Sequence, residues 1–212
     1  RCVVYAAVGR KLQQRKRGMT MSLYQRALAF GLLFGIAFTA TSADFKQENK
    51  PENLKALFEL VHQTVHVKKD NKGATALFAA MIPNEARAKA AFSDKIAPDV
   101  RSAILDMHKK LNFKEDSAAK VARPTQTVVQ VHGAKTEDII AYRDGSVAYK
   151  EFPGGAKRVA AMALKPGMTF YEVEYLEPGK SAGMKYHLLY WDGKQWSMMG
   201  PAWRVLKEDG KK

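Results

Sequence analysis

His62 and His66 stand four apart in the run His62-Gln63-Thr64-Val65-His66. On a helix that spacing turns both rings toward one ligand, the geometry a two-histidine metal site requires. Gln63 occupies the place where a zinc peptidase carries its general-base glutamate, so peptide hydrolysis is not expected. Further ligands would have to come from His108, His132, His187 or a carboxylate. Such a pair is common on helices, and the favoured reading is that the two histidines are partly exposed polar residues flanking the apolar stripe of Val61 and Val65.

His187 lies in a β-like run, Met184 to Trp191, where alternation places it with apolar neighbours on an inward face. A neutral imidazole there can bind a ligand or act as a base, or sit in the core with a backbone or tyrosine partner. Tyr171, Tyr175 and Trp196 fall on the same expected face, so the four residues together are the candidate lining of a ligand pocket. Glu172 and Glu174 are two apart on a strand, roughly 7 Å, a separation that suits an inverting glycosidase pair. Carboxylates at that spacing more commonly solvate an outer face beside Lys or Arg of the next strand, and that is the expectation here. Gly179-Lys180-Ser181 is no phosphate loop, because Glu174 stands where the first glycine belongs, and no Gly-x-Ser-x-Gly elbow is present. Lys68, Lys69 and Lys72, with Lys109 and Lys110, can attract anionic surfaces or simply solvate helix ends.

The net charge of +14 over 212 residues divides unevenly. Arg1, Arg10, Lys11, Arg15, Lys16, Arg17 and Arg26 put +7 of it before Asp44, in a stretch without an acid. Ala27 to Ala40 is apolar and uncharged but shorter than the ~20 residues that span a bilayer. Arg26 precedes it and Thr41-Ser42-Ala43 follows with small residues at the positions a signal peptidase reads. Residues 19–43 are therefore expected to be a secretory signal, 1–18 an over-extended start, and Asp44 the mature N-terminus. The product is expected to be secreted or periplasmic and to keep no membrane span, with export arguing against nucleic acid as a partner. Cys2, the single cysteine, precedes the cleavage point. Disulfides, thiolate catalysis and cysteine-bound metal are thereby excluded from the mature chain, and no cofactor is expected.

These residues need elements to hold them. Residues 44–51 read as a polar leader, 52–206 as one α+β domain and 207–212 as a charged tail. Leu54, Leu57, Phe58, Val61 and Val65 predict a helix over 53–67. Further helices are expected at 74–81, from Asn84 to Phe92, and from Pro98 with Val100, Ile104, Met107 and Leu111 as its stripe. Residues 114–124 read as a connector, Thr125 to His132 as a strand, and Thr136 to Tyr142 as a short helix stopped at Asp144-Gly145. Strands follow at 157–164, 169–176, 184–191 and 195–199, with tight turns at Pro166-Gly167 and Asp192-Gly193. That register pairs Met162 with Tyr171, Leu189 with Trp196 and His187 with Met198. The fold class is thus α+β: N-terminal helices packed on a C-terminal four- to five-stranded antiparallel meander.

Helices, a strand, a short helix and then a meander ending Tyr190-Trp191-Asp192-Gly193-Lys194-Gln195-Trp196 make an order that resembles the nuclear-transport-factor-2-like cone over most of Glu52 to Met199. The resemblance implies helices packed into a bent sheet around a pocket, in a group that includes enzymes, binders and accessory domains. The expected function is an exported non-enzymatic domain binding a small molecule or a protein partner on the aromatic inner face. The alternatives are an exported enzyme using His187 as acid or base, and a structural interaction module.

Overall fold

The computed structural model describes residues 48–206. The expected signal and its cleavage point, Cys2, and the tail 207–212 lie outside the described residues. Pro51–His66 (α1) starts with proline at its first turn and Glu52 beside it, both suited to a helix N-terminus. Its buried stripe is the expected one, Leu54, Leu57, Phe58, Val61 and Val65. Asn71–Ala79 (α2) is capped by Asp70, whose carboxylate accepts the Gly73 N–H at 2.8 Å. Asn84 caps Glu85–Lys89 (α3) in the same way. In Pro98–Lys109 (α4) the buried residues are Val100, Ile104, Leu105 and His108, while Leu111 lies beyond the helix end and is exposed.

A four-stranded antiparallel sheet follows, in the order β1-β2-β3-β4: Val128–Lys135, Thr169–Leu176, Met184–Trp191 and Trp196–Met198. The α+β class with leading helices and a C-terminal meander is the architecture observed. Three helices separate β1 from β2: Thr136–Ala141 (α5), Val147–Glu151 (α6) and Gly154–Ala163 (α7).

The stretch 157–164 corrects the sequence reading, for it is helical rather than a strand. Ala156, Val159, Ala160 and Ala163 recur at helical spacing and are all buried, and alanine is the best helix former. Pro166-Gly167, with Gly167 at φ +76, therefore leads from a helix into β2, and Met162 does not pair with Tyr171. The partner of β2 is β1, which sets His132 opposite Glu172 and Gln130 opposite Glu174. At the other turn Trp191 faces Trp196 and Leu189 faces Met198, so the expected β3–β4 register slips by two and keeps its faces.

A bulge breaks the β2–β3 register: Tyr171 pairs with Leu189 but Val173 with Tyr186, leaving His187 and Leu188 against Glu172 alone. Leu188 takes a left-handed φ of 54 there. The extra residue reverses the alternation, so Tyr186 and Leu189 share one face while His187 turns to the other.

Both faces are covered. On one, α1 and α2 bring Leu54, Phe58, Val61 and Phe78 against Val129, Tyr171, Val173, Tyr175, Leu189, Trp196 and Met198. On the other, Ile104, Ile139, Phe152, Ala156, Val159 and Ala160 meet Phe170, Leu188, Tyr190 and Met199. Each large apolar side chain so buried contributes about 1.5–3 kcal/mol.

Candidate functional site

The second of these faces is apolar toward α7 and polar toward the opposite end of the strands. The middle strand supplies Glu172 and Glu174, which are 1% and 4% exposed. The expectation of a solvated outer face is thus overturned, because α5–α7 fold back over it. Two polar rows cross the sheet: His132, Glu172 and His187, then Gln130, Glu174 and Lys185. Glu151, at the end of α6, closes over them.

Glu172 has two jobs. Its Oε1 accepts the Leu188 N–H at 3.1 Å, satisfying the backbone of the bulge, and its Oε2 lies 2.5 Å from His187 Nδ1. Burial pushes the Glu172 carboxyl up, and the hydrogen bonds from His187 and Leu188 oppose that rise. The His187 side chain is 23% exposed, and its Nε2 has no partner among the described residues and is not buried. The imidazole is therefore held from behind with one nitrogen open in front. Trp203 meets it edge to face, ring centroids 5.0 Å apart. The Trp203 ring in turn sits on Gly155, where a Cβ would come within 2.3 Å of it, and its carbonyl accepts from Arg158 at 2.7 Å.

The adjoining row is an ion cluster. Lys185 Nζ lies 3.1 Å from Glu151 Oε2 and 3.4 Å from Glu174 Oε2, and Glu174 also accepts the Gly183 N–H at 2.6 Å. Burial alone would pull the Lys185 ammonium down, but Glu151 and Glu174 together hold it above its ordinary value. His132 Nε2 is buried 3.7 Å from Glu151 without a hydrogen bond.

The other expected site residues are placed apart from His187. Tyr171, Tyr175 and Trp196 are all buried on the α1 face. The Tyr175 hydroxyl donates to the Phe58 carbonyl at 2.6 Å, and burial drives it well above the usual phenol range. Tyr171 donates to Asn49 Oδ1 at 3.1 Å and packs edge-on against Trp196. The four were expected on one face, and the bulge at Leu188 is why His187 is not with the other three.

His62 and His66 do lie side by side, with tilted rings whose centroids are 4.7 Å apart. Each Nε2 meets a backbone carbonyl, Arg123 at 3.3 Å and Ala122 at 2.9 Å. A carbonyl only accepts, so both Nε2 atoms carry the proton and only Nδ1 is left to each ring as a ligand. Among the described residues no group of three or more His, Cys, Asp or Glu is placed to hold a metal ion. Nor is any described helix long and apolar enough to cross a membrane.

The Glu172–His187 pair itself escaped the sequence reading, although each member was singled out. A usable signal was present: Phe170 and Leu176 flank the two glutamates at the same parity, which marks that face as buried. No protein-family model, curated protein or solved structure matches the chain.

Proposed function

We propose that this chain is an exported binding domain that receives a small polar ligand at His187, with Glu172 as the group that holds the ring. The observation that carries the reading is the imidazole whose Nδ1 meets a buried carboxylate while its Nε2 stays open. Such a ring is pre-organised, so little side-chain entropy is lost when a ligand meets it. With the Nδ1 proton directed at Glu172, Nε2 offers a lone pair and the ligand offers a hydroxyl or N–H. Export rests on residues 19–43, and the aromatic face of the original expectation contributes stability rather than contact in this reading.

A second reading has its own support. A carboxylate behind an imidazole fixes the tautomer and stabilises the imidazolium, as acid–base catalysis requires. Native mass spectrometry on protein recovered from cells that export it tests both. A retained small-molecule mass that His187→Gln abolishes supports binding at this ring. Conversion of that molecule by wild type, lost in His187→Gln, selects the enzyme, whereas its return unchanged selects the binder. The same retained mass in His187→Gln removes the site, a bare chain favours an interaction module, and a chain that starts upstream of Thr41 refutes cleavage.

A further inference from the structure

Among the described residues, the most exposed of the large hydrophobic side chains is Val67, at 72%. It stands at the C-terminal end of α1, followed by Lys68 and Lys69, and Lys72 lies in the first turn of α2. All three lysines are exposed. Backbone hydrogen bonds fix this corner. Lys69 takes a left-handed φ of 59, the Lys68 N–H donates to the Gln63 carbonyl at 3.0 Å and the Asp70 N–H to the Thr64 carbonyl at 2.9 Å. A lysine in that conformation is strained.

A second basic segment lies alongside. Val65, Ala74 and Ala118 pack together, Thr75 donates to the Glu115 carbonyl at 3.0 Å, and His66 Nε2 donates to the Ala122 carbonyl at 2.9 Å. Residues 114–123 therefore run beside the corner and add Lys114, Lys120 and Arg123, all exposed. Of the nearby acids, Asp70 is used in capping α2, Asp116 pairs with Lys120 at 3.3 Å, and Glu115 is exposed beside Lys114, so the basic residues of the two segments outnumber the acids six to three. Lys68, Lys69, Lys72, Lys114 and Arg123 have no carboxylate within ion-pair distance among the described residues. Lysines after a helix C-terminus do complement its dipole, but that accounts neither for the second segment nor for Val67.

From this juxtaposition we infer that the corner at residues 67–72, with 114–123 beside it, docks on the surface of an anionic phospholipid bilayer. The unpaired cations supply attraction to phosphate headgroups, and Val67 supplies an apolar group that gains by entering the acyl boundary. An acidic glycan shares the first attraction but offers nothing to the valine, which is why a bilayer is the occupant chosen. The inference is independent of His187.

Co-sedimentation of residues 44–212 with vesicles tests it, since the described residues 48–206 belong to one compact unit. The probes are phosphatidylcholine alone and phosphatidylcholine with about one-third phosphatidylglycerol, at low and high salt. Binding is expected only to the anionic vesicles and is expected to fall with salt. Each lysine near the surface is worth about fivefold, so Lys68→Glu with Lys72→Glu should weaken binding on the order of 25-fold or more. Lys95→Glu with Lys165→Glu makes the same change of net charge at another exposed place and should leave binding within about twofold. Val67→Asp should also weaken it. Equal losses from both lysine pairs would reduce the effect to net charge and overturn the proposal. So would failure to sediment with anionic vesicles, or tighter binding to heparin than to them.

Discussion

Replacing Glu172 separates its two hydrogen bonds. In Glu172→Ala the buried Leu188 N–H loses its acceptor, at about 1–3 kcal/mol for an unsatisfied buried donor. The bond to His187 is lost as well, and since that ring is 23% exposed water recovers part of it, leaving about 1 kcal/mol. The expected total is about 3 kcal/mol, or roughly 6–12 °C in Tm for a domain of this size. Glu172→Gln behaves differently. Its amide oxygen can still accept from Leu188 and its NH2 can donate to His187 Nδ1, so the cost should be about 1 kcal/mol. That substitution moves the imidazole proton to Nε2 and turns the open nitrogen from acceptor to donor. Urea denaturation gives the two stabilities, and 15N shifts of the His187 ring give the tautomer. Equal costs for Ala and Gln, or a ring tautomer unchanged by Gln, would refute the two-bond account of Glu172.

Three further outcomes are expected. His108 is buried, its Nε2 donates to the Met199 carbonyl at 3.0 Å, and burial pulls its basicity below the ordinary histidine value. The unfolded chain then takes up this proton while the fold resists it, so stability is full above about pH 6.5 and falls as pH drops below it. His62, lowered chiefly by burial, acts in the same direction. His108→Gln should flatten that slope in pH-resolved urea titrations. Arg87 donates to Asp192 at 2.6 Å, to Ser197 at 2.5 Å and to the Ala80 and Trp196 carbonyls at 2.8 Å each. Arg87→Ala should cost about 3 kcal/mol, and Arg87→Lys should recover little because one ammonium cannot span four acceptors. Gly155→Ala pushes a methyl into the Trp203 ring and should cost about 1–3 kcal/mol with a red-shifted tryptophan emission, whereas Gly154→Ala, which meets nothing within 4 Å, should do neither.

Where one residue's neighbours along the chain decide its state, the sequence was legible. The stripe of α1, the Asn84 and Pro98 helix starts, and β2 and β3 within their bounds all follow from local periodicity and capping. Residues 157–164 read as a strand because Pro166-Gly167 invites a hairpin, while the alanines at 156, 160 and 163 favour the helix observed. Glu172 was misread for a related reason: with the helix taken as a strand, nothing remained to cover its face.

The sequence by itself determined an α+β chain with helices first and an antiparallel meander last, since hydrophobic period and turn residues are properties of short segments. Tertiary structure alone decided which side of the sheet each chemical group meets. One extra residue in β3 reverses the alternation, and a bulge is fixed by what lies across the strand, here the carboxylate of Glu172, which no local pattern in β3 contains. The pairing of β1 with β2 across three intervening helices likewise brings His132 opposite Glu172, a contact that depends on how the chain returns rather than on how any segment folds.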